Sequence, residues 1–378
     1  MVPTTWKTVR RWGMSGSLLV CALWATRPAG ADAGAGIDVN RIRVLAEQGS
    51  VSDEIRLAAD YFTGNGVPQD AKMAAHWYEK AAGLGNPEAQ NQIGYFYQAG
   101  IGVHQDPKRA FHWYQLAAAS GLAVAKVNLA IIYLHGVGVQ VNNDLAVRLL
   151  TQAFERGNGT AATYLGDLYY FGLGVRQDRI AAEKWFESGL KLHDPLAAFN
   201  LGTLYSMNTD HVHDFAKAAE LLGRSADAGY VPAMHSLGLL LVNHPELKQT
   251  AEQSRTLLEA ASAAGSWKSS IVLGILARDG RGTPVDYRDA YFHFRLAVLQ
   301  GGVEAEHVIK HDLEKMAVRI GDQERQTQVA AADEWYAHHS LRLVYIYKNK
   351  TARDFPGAAV TYAPDGTFAG QLVPLTSS

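Results

Sequence analysis

Cysteine is nearly absent from this chain: the single one among 378 residues, Cys21, lies inside an N-terminal stretch that reads as a cleavable signal. Once that stretch is removed no disulfide or thiol chemistry is available, so stability has to come from packing alone. Neither sign of charge is in excess, with 35 Lys and Arg against 37 Asp and Glu. Phosphate backbones are held by clustered Lys and Arg, so this balance argues against nucleic acid as a partner. No apolar run in the mature chain has the length of a bilayer span. The motifs of common active sites are missing too: no His-Glu-x-x-His, no Gly-x-Ser-x-Gly and no phosphate-binding Gly-Lys-Ser/Thr loop occurs. Catalysis needs a nucleophile with a base, paired carboxylates or a fixed metal, and none is legible, so neither an enzyme nor a cofactor is expected.

What is present begins with export. Lys7, Arg10 and Arg11 precede an apolar stretch from Ser17 to Ala25, and the small residues Ala31-Asp32-Ala33 follow. Cleavage is expected after Ala33, with Ala31 the alternative, and a periplasmic or secreted location follows from it. Trp12-Gly13-Met14 fits a twin-arginine signal poorly, and Val20 is bulkier than a lipoprotein cysteine requires before it, so ordinary export is preferred. Losing four basic residues and Asp32 with residues 1–33 takes the formal charge from -2 to -5.

The rest repeats every 36 residues. Stepping from Ala89 gives Ala125, Ala161, Ala197, Ala233, Ser269 and Ala305, and stepping from Ile93 gives Leu129, Leu165, Leu201, Leu237, Leu273 and Ile309. Gly94, Gly166, Gly202, Gly238 and Gly274 recur beside these, and Tyr97, Tyr133, Tyr169 and Tyr205 one turn later, so small, leucine, glycine and tyrosine share one helical stripe. Gly64-Asn65-Gly66-Val67 and its counterparts at 100–103, 136–139 and 172–175 stop that helix. A second helix then restarts behind the cap residues Asp70, Asp106, Asn142, Asp178, Asp214, Thr250 and Asp286. It carries an aromatic or leucine pair, as in Trp77-Tyr78, Trp113-Tyr114, Leu149-Leu150 and Trp185-Phe186, and closes at Gly85, Gly121, Gly157, Gly229, Gly265 and Gly301, with His193 the exception. A two-helix hairpin cannot cover its own apolar faces, so neighbours must stack into one core. The divisions expected are a signal at 1–33, a capping helix at 34–50, seven repeats at 51–301, capping helices at 302–340, and a tail at 341–378 that is either a hairpin turning at Pro364-Asp365-Gly366 or disordered.

The pattern small-x3-Leu-Gly-x2-Tyr, Gly-x-Gly-Val, Asp-x3-Ala-x2-Trp-Tyr-x2-Ala resembles the Sel1-like repeat family, relatives of the tetratricopeptide repeats. Two repeats depart from it, with Asn208-Thr209-Asp210-His211 and His244-Pro245-Glu246-Leu247 in place of the glycine loop. The resemblance implies an all-α, right-handed α-solenoid acting as a scaffold or adaptor between proteins, and exported relatives are implied to regulate envelope signalling or exopolysaccharide machinery.

In such a solenoid positions 91, 95 and 98 and their periodic equivalents line the inner groove, where several are apolar: Tyr95, Ile131, Leu134, Tyr170, Phe199 and Leu239 are the candidate partner-binding residues. The alternative is that curvature or the C-terminal segment already covers them. An envelope protein is the partner expected, with a glycan or peptidoglycan fragment stacked on Tyr95 and Tyr170 as the second reading. His211 and His213, flanked by Asp210 and Asp214, are the densest set of metal-type side chains, but Asp214 is taken as a helix cap and no closed site is expected.

Overall fold

The computed structural model describes residues 39–207, 214–247 and 251–351, with side chains described as far as residue 339 in the last stretch. The signal, Asp210, His211, His213, the Thr250 cap and the turn at Pro364 lie outside the described residues.

A first helix, α1 (Val39–Glu47), precedes seven helix pairs: α2 (Val51–Thr63) with α3 (Ala71–Gly83), α4 (Pro87–Ala99) with α5 (Pro107–Ala119), α6 (Ala123–His135) with α7 (Asn143–Phe154), and α8 (Gly159–Phe171) with α9 (Arg179–Lys191). Then come α10 (Pro195–Ser206) with α11 (Phe215–Asp227), α12 (Val231–Asn243) with α13 (Ala251–Ala263), and α14 (Trp267–Asp279) with the first part of α15 (Tyr287–Ile320); α16 (Asp322–Thr351) follows. No strand occurs among the described residues. The chain forms two compact units, one running to Ala153 and one from Phe154 to Lys350.

The repeat signature becomes geometry at three points. Asp70, Asp106, Asp178, Asp214 and Asp286 cap the second helices, as where Asp70 Oδ1 accepts the amides of Lys72 and Met73 at 2.9 and 3.0 Å. Each such cap contributes about 1 kcal/mol. Five of the seven first helices end on a glycine in the left-handed conformation, as at Gly100, φ 69°. Two residues on, Gly102 passes so close to α3 that a Cβ would sit 2.0 Å from the Ala71 carbonyl oxygen. The glycine inside five of the seven first helices is a slot for the second member of the aromatic or leucine pair: a Cβ would meet the Tyr114 ring at 3.0 Å from Gly94, the Phe186 ring at 2.4 Å from Gly166 and the Phe294 ring at 2.6 Å from Gly274. Spacing in sequence therefore encodes which ring fills which notch.

Further devices are shared by the repeats. Gln69, Gln105 and Gln177 turn their side-chain amides back to donate to the carbonyls of Phe62, Gln98 and Tyr170 at 2.7, 2.9 and 2.9 Å, pairing acceptors that a helix end leaves open. Val141 and Val285 hold the same phase and are half exposed instead. First helices carry caps of their own, Asn86, Asn158 and Ser266.

One end of the chain differs from expectation. α1 packs with Ile42 and Ala46 buried, and Lys80 holds it by reaching the Ala46 carbonyl at 3.1 Å and the buried Glu54 at 2.8 Å. At the far end the second helix of the seventh pair breaks one residue past Gly301, at Gly302, φ 54°, and the rest of α15 is a separate helix that runs to Ile320. α16 continues to Thr351, so residues 341–351 extend the capping helix rather than starting a hairpin or disordered tail. Its return onto α15 is fixed by Arg295 to Asp333 at 3.2 Å and by Val329 packing near Ile309 and Met316.

Candidate functional site

The row expected to line a groove lies, in the first unit, between neighbouring helices. Asn128 Nδ2 on α6 donates to Asn91 Oδ1 on α4 at 2.9 Å, and both residues are fully buried. Gln98 is likewise buried, its side-chain oxygen accepting the Tyr114 hydroxyl at 2.9 Å. Tyr95, Ile131 and Leu134 share that burial, at 9, 1 and 3% exposure, and Tyr95 meets Phe96 edge-on. These three are core residues of the stack and offer no open face to a partner; a first-helix position that bonds to the next first helix cannot also line a free groove. Tyr95 is thereby removed as a stacking platform for a sugar.

In the second unit the same row is more open and more polar. Tyr170 and Phe199 are half-buried against a cluster that includes Phe186, Leu204 and Leu237. The Tyr170 hydroxyl approaches Met207 Sδ at 3.6 Å, and the Phe199 ring meets Tyr230 at 5.1 Å between centroids. Leu239 is exposed at 36%. Three hairpins in succession thus bring an aromatic, an aromatic and a leucine to one row of α8, α10 and α12.

Ionisable groups sit among them. Asn200 Nδ2 donates to Asp167 Oδ1 at 2.8 Å, and the Thr163 hydroxyl, one turn back on α8, donates to Asp194 at the start of α10. Burial, with the Asp194 charge adding to it, pushes the Asp167 carboxyl up to about 8. His235, whose Nδ1 lies 2.9 Å from the Ser269 hydroxyl, is held down to about 4, chiefly by burial and then by Lys268. Sequence reading passed over this polar set; the recurring Asn at 128 and 200, two periods apart, was the available signal.

Elsewhere the polar clusters are clasps. Tyr97 donates to Glu79 at 3.0 Å while Arg109 pairs with Glu79 and lies 3.9 Å over the Tyr97 ring. Tyr205, Glu183 and Lys217 repeat the arrangement, with Lys217 Nζ 4.1 Å from the ring centre. Burial and the bond to Glu79 push the Tyr97 hydroxyl up to about 12, which leaves it a proton donor rather than a nucleophile. Among the described residues no three His, Asp or Glu gather as metal ligands, and no helix is long and apolar enough to cross a membrane.

A family model described as the Sel1 repeat matches residues 54–86, 87–122, 123–158, 159–194, 195–230 and 271–302. Among solved structures, a Sel1 repeat protein from Oxalobacter formigenes is 26% identical with TM-score 0.55, covering 69% of this chain and 98% of its own. A protective antigen of uropathogenic Escherichia coli with an SLR fold is 23% identical with TM-score 0.41, covering 82% of this chain and 73% of its own. A search of curated protein sequences gives no match. The hairpin of α12 and α13, where the glycine loop is replaced at His244, is skipped by the family model.

Proposed function

This chain belongs to the Sel1 repeat family, an all-α solenoid fold whose members mediate protein–protein interaction, and on that premise we propose that it is an exported, non-catalytic scaffold that holds another protein of the cell envelope through the open row of its second unit, serving envelope signalling or exopolysaccharide machinery. The observation that carries this reading is the run of Tyr170, Phe199 and Leu239 on successive first helices, in reach of solvent while their counterparts Leu134 and Ile131 are closed off. Apolar side chains on a repeating face suit an amphipathic helix or an extended segment of a partner. The export half of the proposal rests on the basic, apolar and small-residue pattern of the first 33 residues.

The test is in-cell cross-linking of C-terminally tagged protein, with capture and mass spectrometry of both the partners and the mature N-terminus. One dominant envelope protein, lost when Leu239 is changed to Lys, and a start near Gly34 are expected. An intact N-terminus would overturn the export half. A partner retained by Leu239→Lys and by Tyr170→Ala, with both variants folded by circular dichroism, would overturn the open row as the binding face.

A further inference from the structure

The seam between α8 and α10 contains two carboxylates and no cation. Thr163 and Asp167 lie one turn apart on α8, Asp194 and Asn200 lie at the start and middle of α10, and the bonds Thr163 to Asp194 and Asn200 to Asp167 make two rungs across the seam. Residues four apart on a helix are neighbours, so the carboxylates are held within about a turn of each other. Other charged groups on the packed elements are occupied or turned away. On α9, Arg179 reaches the Leu204 carbonyl, Glu183 is held by Tyr205, and Lys184 and Lys191 are exposed. On α11, Lys217 bonds to Tyr205 and feels Glu183 and Glu187, and on α12, His235 is turned to Ser269.

We propose that Asp167 is a neutral carboxylic acid in the folded protein at neutral pH, and that releasing its proton to water loosens the seam between the fourth and fifth hairpins, making this repeat junction alkali-sensitive. The assignment of the proton follows from the donors. Burial raises Asp194 as well, but the Thr163 hydroxyl bonded to it, and after it the amides of Leu196 and Ala197 and the Thr160 hydroxyl, work against that rise and favour its anion. Asp167 has one amide donor, Asn200, and a like charge beside it, so it keeps the proton. The shift of Asp167 to about 8 agrees with this placement. Because the folded state raises this acid above its unfolded value, its stabilising effect is complete below about pH 4 and is lost progressively as pH rises toward about 8. Two carboxylates that must both ionise above that range repel across the seam.

The experiment is urea unfolding of the full mature chain and of Asp167→Asn from pH 5 to 9, with hydrogen exchange of α8 and α10 followed at the two extremes and corrected for intrinsic rate. The wild-type midpoint is expected to fall relative to the variant between pH 6 and 9, and exchange in α8 and α10 to rise at pH 9 in the wild type alone. Parallel midpoint curves would overturn the proposal. If Asp167→Asn does not fold, proton release is counted on unfolding the wild type at pH 7 without buffer: release of close to one proton supports it, and no net release overturns it. Neither arm depends on a partner, so the outcome is separate from that of the scaffold reading.

Discussion

Ile131 and Leu239 occupy the same phase of repeats three apart, yet Ile131 is 1% exposed and Leu239 36%. The rows they belong to differ in chemistry as well. In the first unit the row is apolar and closed by a neutral rung, Asn128 to Asn91. In the second it holds Asp167, Asn200 and His235 beside half-buried rings. The hairpin is thus specified by the positions that recur, caps, glycine notches and ring pairs, whereas the face between first helices is free to vary. One unit spends that freedom on core, and the other on groups that answer to pH and on side chains within reach of solvent.

The comparison is broken most forcefully at its buried end. Leu134→Ala is expected to destabilise the protein by about 2–5 kcal/mol, the range for deleting a buried leucine side chain, whereas Leu239→Ala costs a small fraction of that. Urea midpoints of the two variants decide it, and equal losses would mean that Leu239 is as much core as Leu134. Next in size, Gly166→Ala forces a methyl into the Phe186 ring and should cost about 1–3 kcal/mol, recovered in large part by the double change Gly166→Ala with Phe186→Leu.

Of similar size is the loss of the neutral rung. Asn128→Leu removes the donor to Asn91 and strands a buried amide, an expected cost of about 1–3 kcal/mol, while changing both residues to leucine returns part of it. The second unit supplies the pH counterpart. His235 is held below the ordinary histidine range, so the folded state resists protonation that the unfolded chain accepts. Its contribution is present above about pH 6.5 and is lost as pH falls toward about 4, with a loss on the order of 2 kcal/mol. Thermal melts of the wild type and His235→Gln should converge as the pH drops through that window, and curves that stay parallel would remove His235 from the acid response.

Much of this was legible in the sequence because it rests on local rules. Asp70, Asp106 and Asp286 cap where an N-cap must, and the Gly at 94, 166 and 274 pairs with a ring twenty residues later on the partner helix. The burial of Tyr95, Ile131 and Leu134 was not legible, because helical phase says which side of a helix a residue is on and not how closely the next helix lies against that side. The Asp167 seam was hidden for the same reason: its four members come from positions that serve other purposes in other repeats, where Asn128 meets Asn91 instead. The helix past residue 340 was masked by Leu341 to Tyr347, whose β-branched and aromatic residues suit a strand, and α16 carries the backbone through them.

The smallest expected effect sits beside that seam. Five hairpins turn out of the second helix on a glycine at positive φ, Gly85, Gly121, Gly157, Gly229 and Gly265, but the fourth places His193 there at φ 58°. A residue with a Cβ costs about 1–2 kcal/mol in the left-handed region, and part of that is offset because glycine loses more freedom on folding. His193→Gly is therefore expected to raise stability by about 0.5–1 kcal/mol. His193 immediately precedes Asp194, which accepts the Thr163 hydroxyl, so the left-handed turn and the acidic rung adjoin. If relieving the strain also narrows the gap between wild type and Asp167→Asn at pH 9, the turn and the rung yield together; if the gain is the same at pH 5 and pH 9, the strain is local to the turn and the proposed alkaline response belongs to the carboxylates alone.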